Sequence, residues 1–437
     1  KRLIVLHTYL IETYGCQMNV AESNAIELLL KGRGMEAVTD PLAADVVLIN
    51  TCSVRKTAEN RIWGRLGFYS AVKKKRKQVL IVTGCMASRM REELKKECPF
   101  VDHVVSNDEK AQLPLLLFGS DEEKSEKYSF LSSHYKEGEF SSYIPIMNGC
   151  NNFCSYCIVP YVRGREVSRD VESIIEEVKF MDKKGVKEIT LLGQNVNSYS
   201  SEYNGESIDF PKLLEIITKY MDNILWVRFE SPHPKDFSDD LIRVIRDNKK
   251  VAKHIHLPMQ SGNSRILELM NRHTTREKFI SLLEKMKKEI PDLTLSTDVI
   301  VGFPSETEEE YLETLSMMEI MNCTEAFMYY FNPREGTRAE KMEGQIEEGV
   351  KIKRLERLIN EQIERQKKIK SAALPFDAVG IVTTVTRDDS SRYLLRTEHN
   401  EYVSFLPLKP HKNGDVVYVR ATELNGNTFR GEEIERE

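Results

Sequence analysis

Three apolar runs in the first ninety residues end in the same way: "YLIETYGCQMN" reaches Cys16, "ADVVLINTCSV" reaches Cys52 and "QVLIVTGCMA" reaches Cys85. Apolar runs alternating with helix-like stretches are what a parallel sheet with crossover helices requires. In an open α/β sheet the carboxyl ends of the strands share one edge, where ligands bind. Three cysteines some 30 to 40 residues apart are therefore expected to converge on one site at that edge.

A second group of three is local. "NGCNNFCSYC" places Cys150, Cys154 and Cys157 within eight consecutive residues. A tetrahedral zinc or a four-iron cluster wants four ligands, and this loop supplies three. Zinc would draw its fourth ligand from far along the chain, because no histidine lies between His134 and His233, and the usual paired CxxC is absent. Eight cysteines in 437 residues are too sparse for a disulfide scaffold. There is no signal-peptide pattern and no run of eighteen apolar residues, so the expected location is cytoplasmic and the expected chemistry is metal or redox. The chain opens on Lys1 rather than Met, and residues before it are expected.

The remaining text divides into segments. Residues 119–143, "GSDEEKSEKYSFLSSHYKEGEFSSY", have the composition of an exposed linker. From Ile144 to about Ala339 a new series of βα units begins. Its strand candidates are "IPIM", "EITLLG", "LWVRFES", "KHIHLPM", "LSTDVIVGFP" and "EAFMYYF", with helices such as Val171 to Lys184 and Arg276 to Glu289 between them. Six units predict a partial (β/α)6 barrel with functional residues at the strands' carboxyl ends. A charged helix over 347–373 stops before Pro375, and short strands then predict a small β-barrel of about sixty residues. The expected domains are 1–125, 136–370 and 374–437, an α/β chain of parallel-sheet domain, partial barrel and terminal β-barrel.

Charge gives no global footprint for nucleic acid: the formal net charge is -5 and the pI about 6.1. Residues 375–437 hold eight Lys or Arg against eleven Asp or Glu, so any RNA-binding surface there must be local. "KKKRK" at 73–77 reads as a solvated helix end before it reads as a phosphate contact. His254 and His256 share one face of a strand and are expected to be structural. Cys98 and Cys323 fit neither ligand group, and Cys323 is expected to pack. Gly302 and Pro304 shape a turn before a helix that Ser305 or Thr307 caps.

CxxxCxxC with Tyr156 before its third cysteine is similar to the radical S-adenosylmethionine (SAM) signature. Taken with "TYGCQMN", "NTCSV", "TGCMA", "CNNFCSYCIVPYVRGREVSR" and the terminal barrel, the chain resembles the radical SAM methylthiotransferase family over essentially its whole length. The resemblance implies two [4Fe-4S] clusters. One sits on Cys150, Cys154 and Cys157, with SAM as its fourth ligand, and serves to cleave SAM to a 5'-deoxyadenosyl radical. The other, auxiliary, sits on Cys16, Cys52 and Cys85 and presents sulfur; a second SAM supplies the methyl group. The terminal module is that family's TRAM domain. The resemblance implies SAM contacts at Tyr156 of the signature loop and at Gln194 and Asn195, after the second barrel strand where the family contacts the SAM amino group; Glu230, Ser231, Gln260, Ser261 and Asp298 are candidates by strand position, with a structural role as the competing reading at each position in the barrel strands and turns.

Within the family, "INTCSVRKTAENRIWGRLG" and "IVPYVRGREVSR" are most similar to the branch that methylthiolates carbon two of a prenylated adenosine beside the tRNA anticodon, at position 37. Sister branches act on threonylcarbamoyl-adenosine or on a ribosomal-protein aspartate. Asp170, where that branch usually has Pro, and "FNPREGTRAEK" depart from its pattern. The implied partners are the tRNA anticodon loop and a reductant such as flavodoxin or ferredoxin, with no membrane and a monomeric chain. A two-cluster electron carrier and a zinc-containing RNA-binding module are the readings from other classes.

Overall fold

The computed structural model describes residues 6–53, 56–119, 130–131, 133–386 and 389–435. The first domain is a five-stranded parallel sheet of β1 (Thr8–Thr13), β2 (Glu36–Ala37), β3 (Val46–Thr51), β4 (Val79–Gly84) and β5 (His103–Val105), in the order β2-β1-β3-β4-β5. The strand alternation explains why both faces are covered. Val47, Ile49, Leu80 and Val82 meet Ile62, Leu66 and Tyr69 of α2 (Lys56–Lys73) on one side. Val46, Leu48 and Ile81 meet Ile26 and Leu30 of α1 (Gln17–Gly32) on the other. Two short helices follow β4 directly, α3 (Cys85–Arg89) and α4 (Arg91–Glu97), and α5 (Leu113–Phe118) ends the domain.

The second domain is the expected partial barrel. Its strands are β6 (Ser141–Pro145), β9 (Glu188–Leu192), β12 (Trp226–Phe229), β13 (His254–His256), β14 (Thr294–Val301) and β15 (Glu325–Tyr330), all parallel. They form two three-stranded sheets joined by a parallel bridge between Val227 and Val251. Two small antiparallel ladders interrupt the series: β7 (Met147–Asn148) with β8 (Val167–Ser168), and β10 (Ser200–Tyr203) with β11 (Glu206–Asp209). Helix α6 (Val159–Arg163) lies inside the first ladder's loop. The outer helices are α7 (Val171–Lys183), α8 (Phe210–Ile217), α9 (Asp239–Asp247), α10 (Ser264–Leu269), α11 (Arg276–Glu289) and α12 (Glu308–Met321), with the long α13 (Glu348–Ala373) closing the domain before Pro375. Most are started by a side-chain cap; Thr307 builds a full capping box with Glu310 on α12.

A closed five-stranded barrel completes the chain, with β16 (Phe376–Val385), β17 (Tyr393–Thr397), β18 (Tyr402–Leu406), β19 (Val416–Asn425) and β20 (Thr428–Glu433) ordered β16-β17-β18-β20-β19. Closure removes the unpaired edges that so short a sheet would otherwise expose. Among the described residues no helix is long and apolar enough to cross a membrane.

Two local expectations are corrected. "IPIM" is not one strand: β6 runs over 141–145, and the chain then bends so that Met147 pairs with Ser168. The linker ends earlier than its composition suggests. Residues 120–129 and 132 lie outside the described ones, but His134 and Tyr135 are buried. His134 and Arg169 both hold the buried Glu177 carboxylate, which fixes the entry to β6. Polar residues that pair inside a core read, in sequence, like solvated ones. "KKKRK" is the exposed end of α2 and its turn, tied down by Lys73 on Asp102 and Arg76 on Asp45. Cys98 and Cys323 are packed in cores.

Asp170, in place of the branch's usual Pro, caps α7 by accepting from the Ser173 N–H at 2.8 Å. Asp170→Ala is expected to lower stability by about 1 kcal/mol, read as a lower urea midpoint with an unchanged slope.

Candidate active site at the domain junction

Each half of the site is shaped by close backbone approach. Cys16 is the N-cap of α1, Cys52 follows β3 and Cys85 opens α3, so all three lie at the carboxyl edge of the sheet. Gly15, at φ 122°, passes so near Cys52 that a Cβ would stand 2.6 Å from the Cys52 Cβ and 3.1 Å from its Sγ. Gly84, at φ 96°, leaves a Cβ only 2.2 Å from the Thr51 carbonyl oxygen. Only glycine fits either position without moving backbone or the cysteine. Cys52 and Cys85 are buried and Cys16 is exposed. The Asn107 amide donates to the Cys85 Sγ at 3.6 Å and to the Val162 carbonyl at 3.0 Å.

The CxxxCxxC loop is held from several sides. Gly149 crosses the Arg165 carbonyl where a Cβ would be 2.1 Å away, and Phe153 takes a left-handed conformation. The Asn271 amide donates to the carbonyls of Asn152 and Phe153 at 2.9 and 3.0 Å, and the Ser155 N–H donates to the Met270 carbonyl at 2.9 Å. Arg272 points its guanidinium at the Cys154 Sγ, 3.7 Å away, and donates to the Pro258 carbonyl at 2.7 Å. Burial pushes the Cys150 thiol up to about 11 and the Cys157 thiol up to about 12, with Cys154 adding to both. Such groups remain thiols at neutral pH until a metal displaces the proton.

The two cysteine groups are physically joined by α6, which begins two residues after Cys157. Ile158 and Val162 pack on Cys85. Arg163, the last residue of α6, crosses into the first domain, where it donates to Glu22 at 2.8 Å, to Asn19 at 3.1 Å and, within its own domain, to Asn148 at 3.0 Å.

Between the groups lies a cavity of about 860 Å³, reached by Cys16 from the first domain, by Cys157 from the barrel loop, and by Arg396, Asn400 and Tyr402 from the terminal barrel. Tyr156, Glu230, Ser231, Gln260 and Asp298 line it. Gln194 and Asn195 do not. The Gln194 side chain accepts from the Gly149 N–H at 2.5 Å and so braces the cysteine loop, while Asn195 is buried and donates to Asp236 at 2.9 Å. Ser261 is buried against Thr314. Ser231 and Gln260 have positive φ, and Gln260 keeps a buried amide oxygen without a protein partner at the cavity wall.

The histidines expected to be structural face this cavity. A hydrogen-bonded line runs along β13 and β14 from His254 through Ser296 to His256 and Asp298, the last step at 3.3 Å. Burial, with Arg228 nearby, takes His254 down to about 3, so it is neutral. Burial also opposes charge on His256, but the Asp298 carboxylate outweighs it and raises the pKa. Burial raises Glu230. Arg228 and Arg396 were not foreseen. Alternation in "LWVRFES" puts Arg228 opposite the apolar neighbours Val227 and Phe229, and that was a usable signal; no local signal marks Arg396, which arrives from another domain.

The donor set fits the cofactors that the family implies. Each group offers three thiols, none of them in a disulfide. Three thiolates and an open coordination position suit a four-iron cluster whose remaining iron takes a small molecule. The orphaned Gln260 oxygen and the Glu230 and Asp298 carboxylates give the adjoining cavity the acceptors that a cationic, amine-bearing cofactor needs. Asp298→Asn is expected to lower the His256 pKa, read by ¹H–¹⁵N NMR of the metal-free protein; an unmoved titration would reject Asp298 as the group that raises it.

Comparison with known proteins shows the family. Residues 144–318 match the Radical SAM superfamily and residues 8–106 match Uncharacterized protein family UPF0004. The chain is 45% identical to the tRNA-2-methylthio-N(6)-dimethylallyladenosine synthase of Treponema denticola, over 97% of this chain and 99% of the relative. It is 43% identical to the protein of that name from Bacteroides fragilis, over 97% and 95%. Among solved structures, the radical S-adenosylmethionine methyltransferase TsrM from Kitasatospora setae, with cobalamin and a [4Fe-4S] cluster bound, superposes with a TM-score of 0.58 at 14% identity, covering 77% of each chain, a likeness of fold. The chain belongs to the tRNA-2-methylthio-N(6)-dimethylallyladenosine synthase family of radical SAM enzymes.

Proposed function

We propose that this chain installs a methylthio group on carbon two of the prenylated adenosine at position 37 of tRNA, with Cys150, Cys154 and Cys157 holding one [4Fe-4S] cluster and Cys16, Cys52 and Cys85 holding the other. The observation that carries the reading is the single cavity reached by a cysteine from each group, Cys16 and Cys157. Hydrogen abstraction works only at contact distance, so the radical source and the sulfur source must face one substrate atom. When bound, the clusters and SAM supply the electron, the radical, the sulfur and the methyl group.

The chain's own residues bind, orient and exclude water. Arg272 supplies positive charge at Cys154, and Gln194, Asn271 and Ser155 fix the loop that presents the thiols. Tyr156, Glu230, Ser231, Gln260 and Asp298 are the cavity residues we assign to SAM; Gln194, Asn195 and Ser261 act one layer back, by supporting the backbone. The wall formed by Phe327, Tyr329 and Phe331 is the apolar surface on which a flipped base and its prenyl group are accommodated. The division into residues 1–125, 136–370 and 374–437 assigns sulfur supply, SAM cleavage and tRNA engagement to successive units. The physiological reductant is a flavodoxin or ferredoxin, and the enzyme acts as a cytoplasmic monomer.

Two experiments test the proposal. Cys150→Ala, Cys154→Ala or Cys157→Ala is expected to abolish reductive SAM cleavage, whereas Cys16→Ala, Cys52→Ala or Cys85→Ala keeps cleavage measurable and ends sulfur insertion. Methylthio product from Cys52→Ala would reject the auxiliary assignment. In the second, prenylated anticodon-loop RNA is expected to turn over at least about tenfold faster than the unmodified loop, the factor that about 1.4 kcal/mol of transition-state binding gives. Preference for a threonylcarbamoylated loop or for ribosomal protein would move the chain to a sister branch and leave the cluster chemistry in place.

A further inference from the structure

The contact between the first domain and the cysteine loop carries buried charges that lie outside the cavity lining. Glu22, Lys110 and Arg163 are all buried, with side chains 2–4% exposed. Glu22 pairs with both cations at once, through one oxygen to Lys110 and through both to Arg163. Neutral amides complete their hydrogen bonds: Asn19 and Asn148 accept from Arg163, and the Asn50 amide oxygen lies 3.5 Å from the Lys110 amine. Two cationic side chains share one carboxylate out of water, and burial lowers the Lys110 pKa accordingly, a cost that a further anion nearby relieves. The neighbouring candidate is the Cys85 sulfur, on which Val162, the residue before Arg163, packs. The Asn107 amide, which bridges Val162 to the Cys85 sulfur, joins the two groups of residues physically.

We infer that the Glu22–Lys110–Arg163 cluster is the counter-charge of the auxiliary iron–sulfur centre, and that it sets that centre's reduction potential while fixing it against the SAM-cleaving loop. The inference rests on the proposed assignment of Cys16, Cys52 and Cys85. Reduction adds one negative charge to the cluster, and a fixed buried cation favours the reduced form, so net positive charge raises the potential. The three residues are positioning residues; none touches substrate.

The test uses the full chain carrying Cys150→Ala, Cys154→Ala and Cys157→Ala, reconstituted without oxygen, so that only the auxiliary centre takes up iron and its midpoint is read by an EPR-monitored redox titration. Lys110→Met is expected to lower the midpoint, and Glu22→Gln to raise it. Arg163→Gln also lowers it and serves where Lys110→Met does not fold, while Arg163→Lys keeps the parent value. Loss of packing alone would not move the potential in opposite directions for the two members of one ion pair. Midpoints that do not move, or that all move the same way, with iron still bound, overturn the inference alone. A parent that takes up no iron overturns the ligand assignment, and the inference with it.

Discussion

The junction between the two cysteine groups depends on the Arg163–Glu22 ion pair and the short helix that delivers it. An arginine with almost no exposure is tolerable only when its donors are used, and here the carboxylate and one of the two amides come from the other domain. The partners cannot part without leaving a charge buried and unpaired, a penalty of about 3–5 kcal/mol. Because Arg163 is the sixth residue after Cys157, this pair also fixes the distance between the cysteine loop and the sheet edge that carries the other three cysteines. Two domains that a sequence presents as separate are, at this point, one construction.

The far end of the cavity is fixed by a different charged set. Glu188, on β9, is held below the usual carboxylate range because Arg228 and Arg396 outweigh its burial. Arg228 in turn donates to the carbonyls of Thr397 and Glu398 at 2.6 and 2.8 Å, and Thr294 at the start of β14 donates to the His399 carbonyl at 2.9 Å. The terminal barrel is thus seated on the partial barrel through its β17–β18 turn, and the cavity receives Asn400 from that turn and Tyr402 from the start of β18. That placement answers the awkward charge count of residues 375–437. Bulk charge says little about a module whose decisive arginine is turned inward to its own chain.

What was legible in the sequence follows from how local each signal is. The parallel sheet, the six-stranded partial barrel and the closed terminal barrel rest on apolar periodicity and turn residues, which the chain carries in single segments, and all three are present. The cysteine loop was legible because its three residues are adjacent. The convergence of Cys16, Cys52 and Cys85 on one edge was legible only through a rule about parallel sheets. By contrast, His134 and Tyr135 read as linker because their burial depends on Glu177 and Arg169, more than thirty residues away. His254 and His256 showed a shared face, yet nothing local says which face of β13 looks into the barrel.

Gln194 shows how strand position and side-chain contact can diverge. It follows the second barrel strand, as a cofactor contact should, but its side chain is spent on the Gly149 N–H, and Gly149 is itself a residue that tolerates no Cβ. A glutamine that braces the turn before Cys150 shapes the loop that carries the three thiols. The same logic separates Asp298, which faces the cavity, from Ser261, which is turned into α12 by Thr314. Side chains at the carboxyl ends of barrel strands divide into those that meet the ligand and those that keep the strands' turns in place. The division is made by the neighbouring turn, which is why strand position alone nominates both kinds.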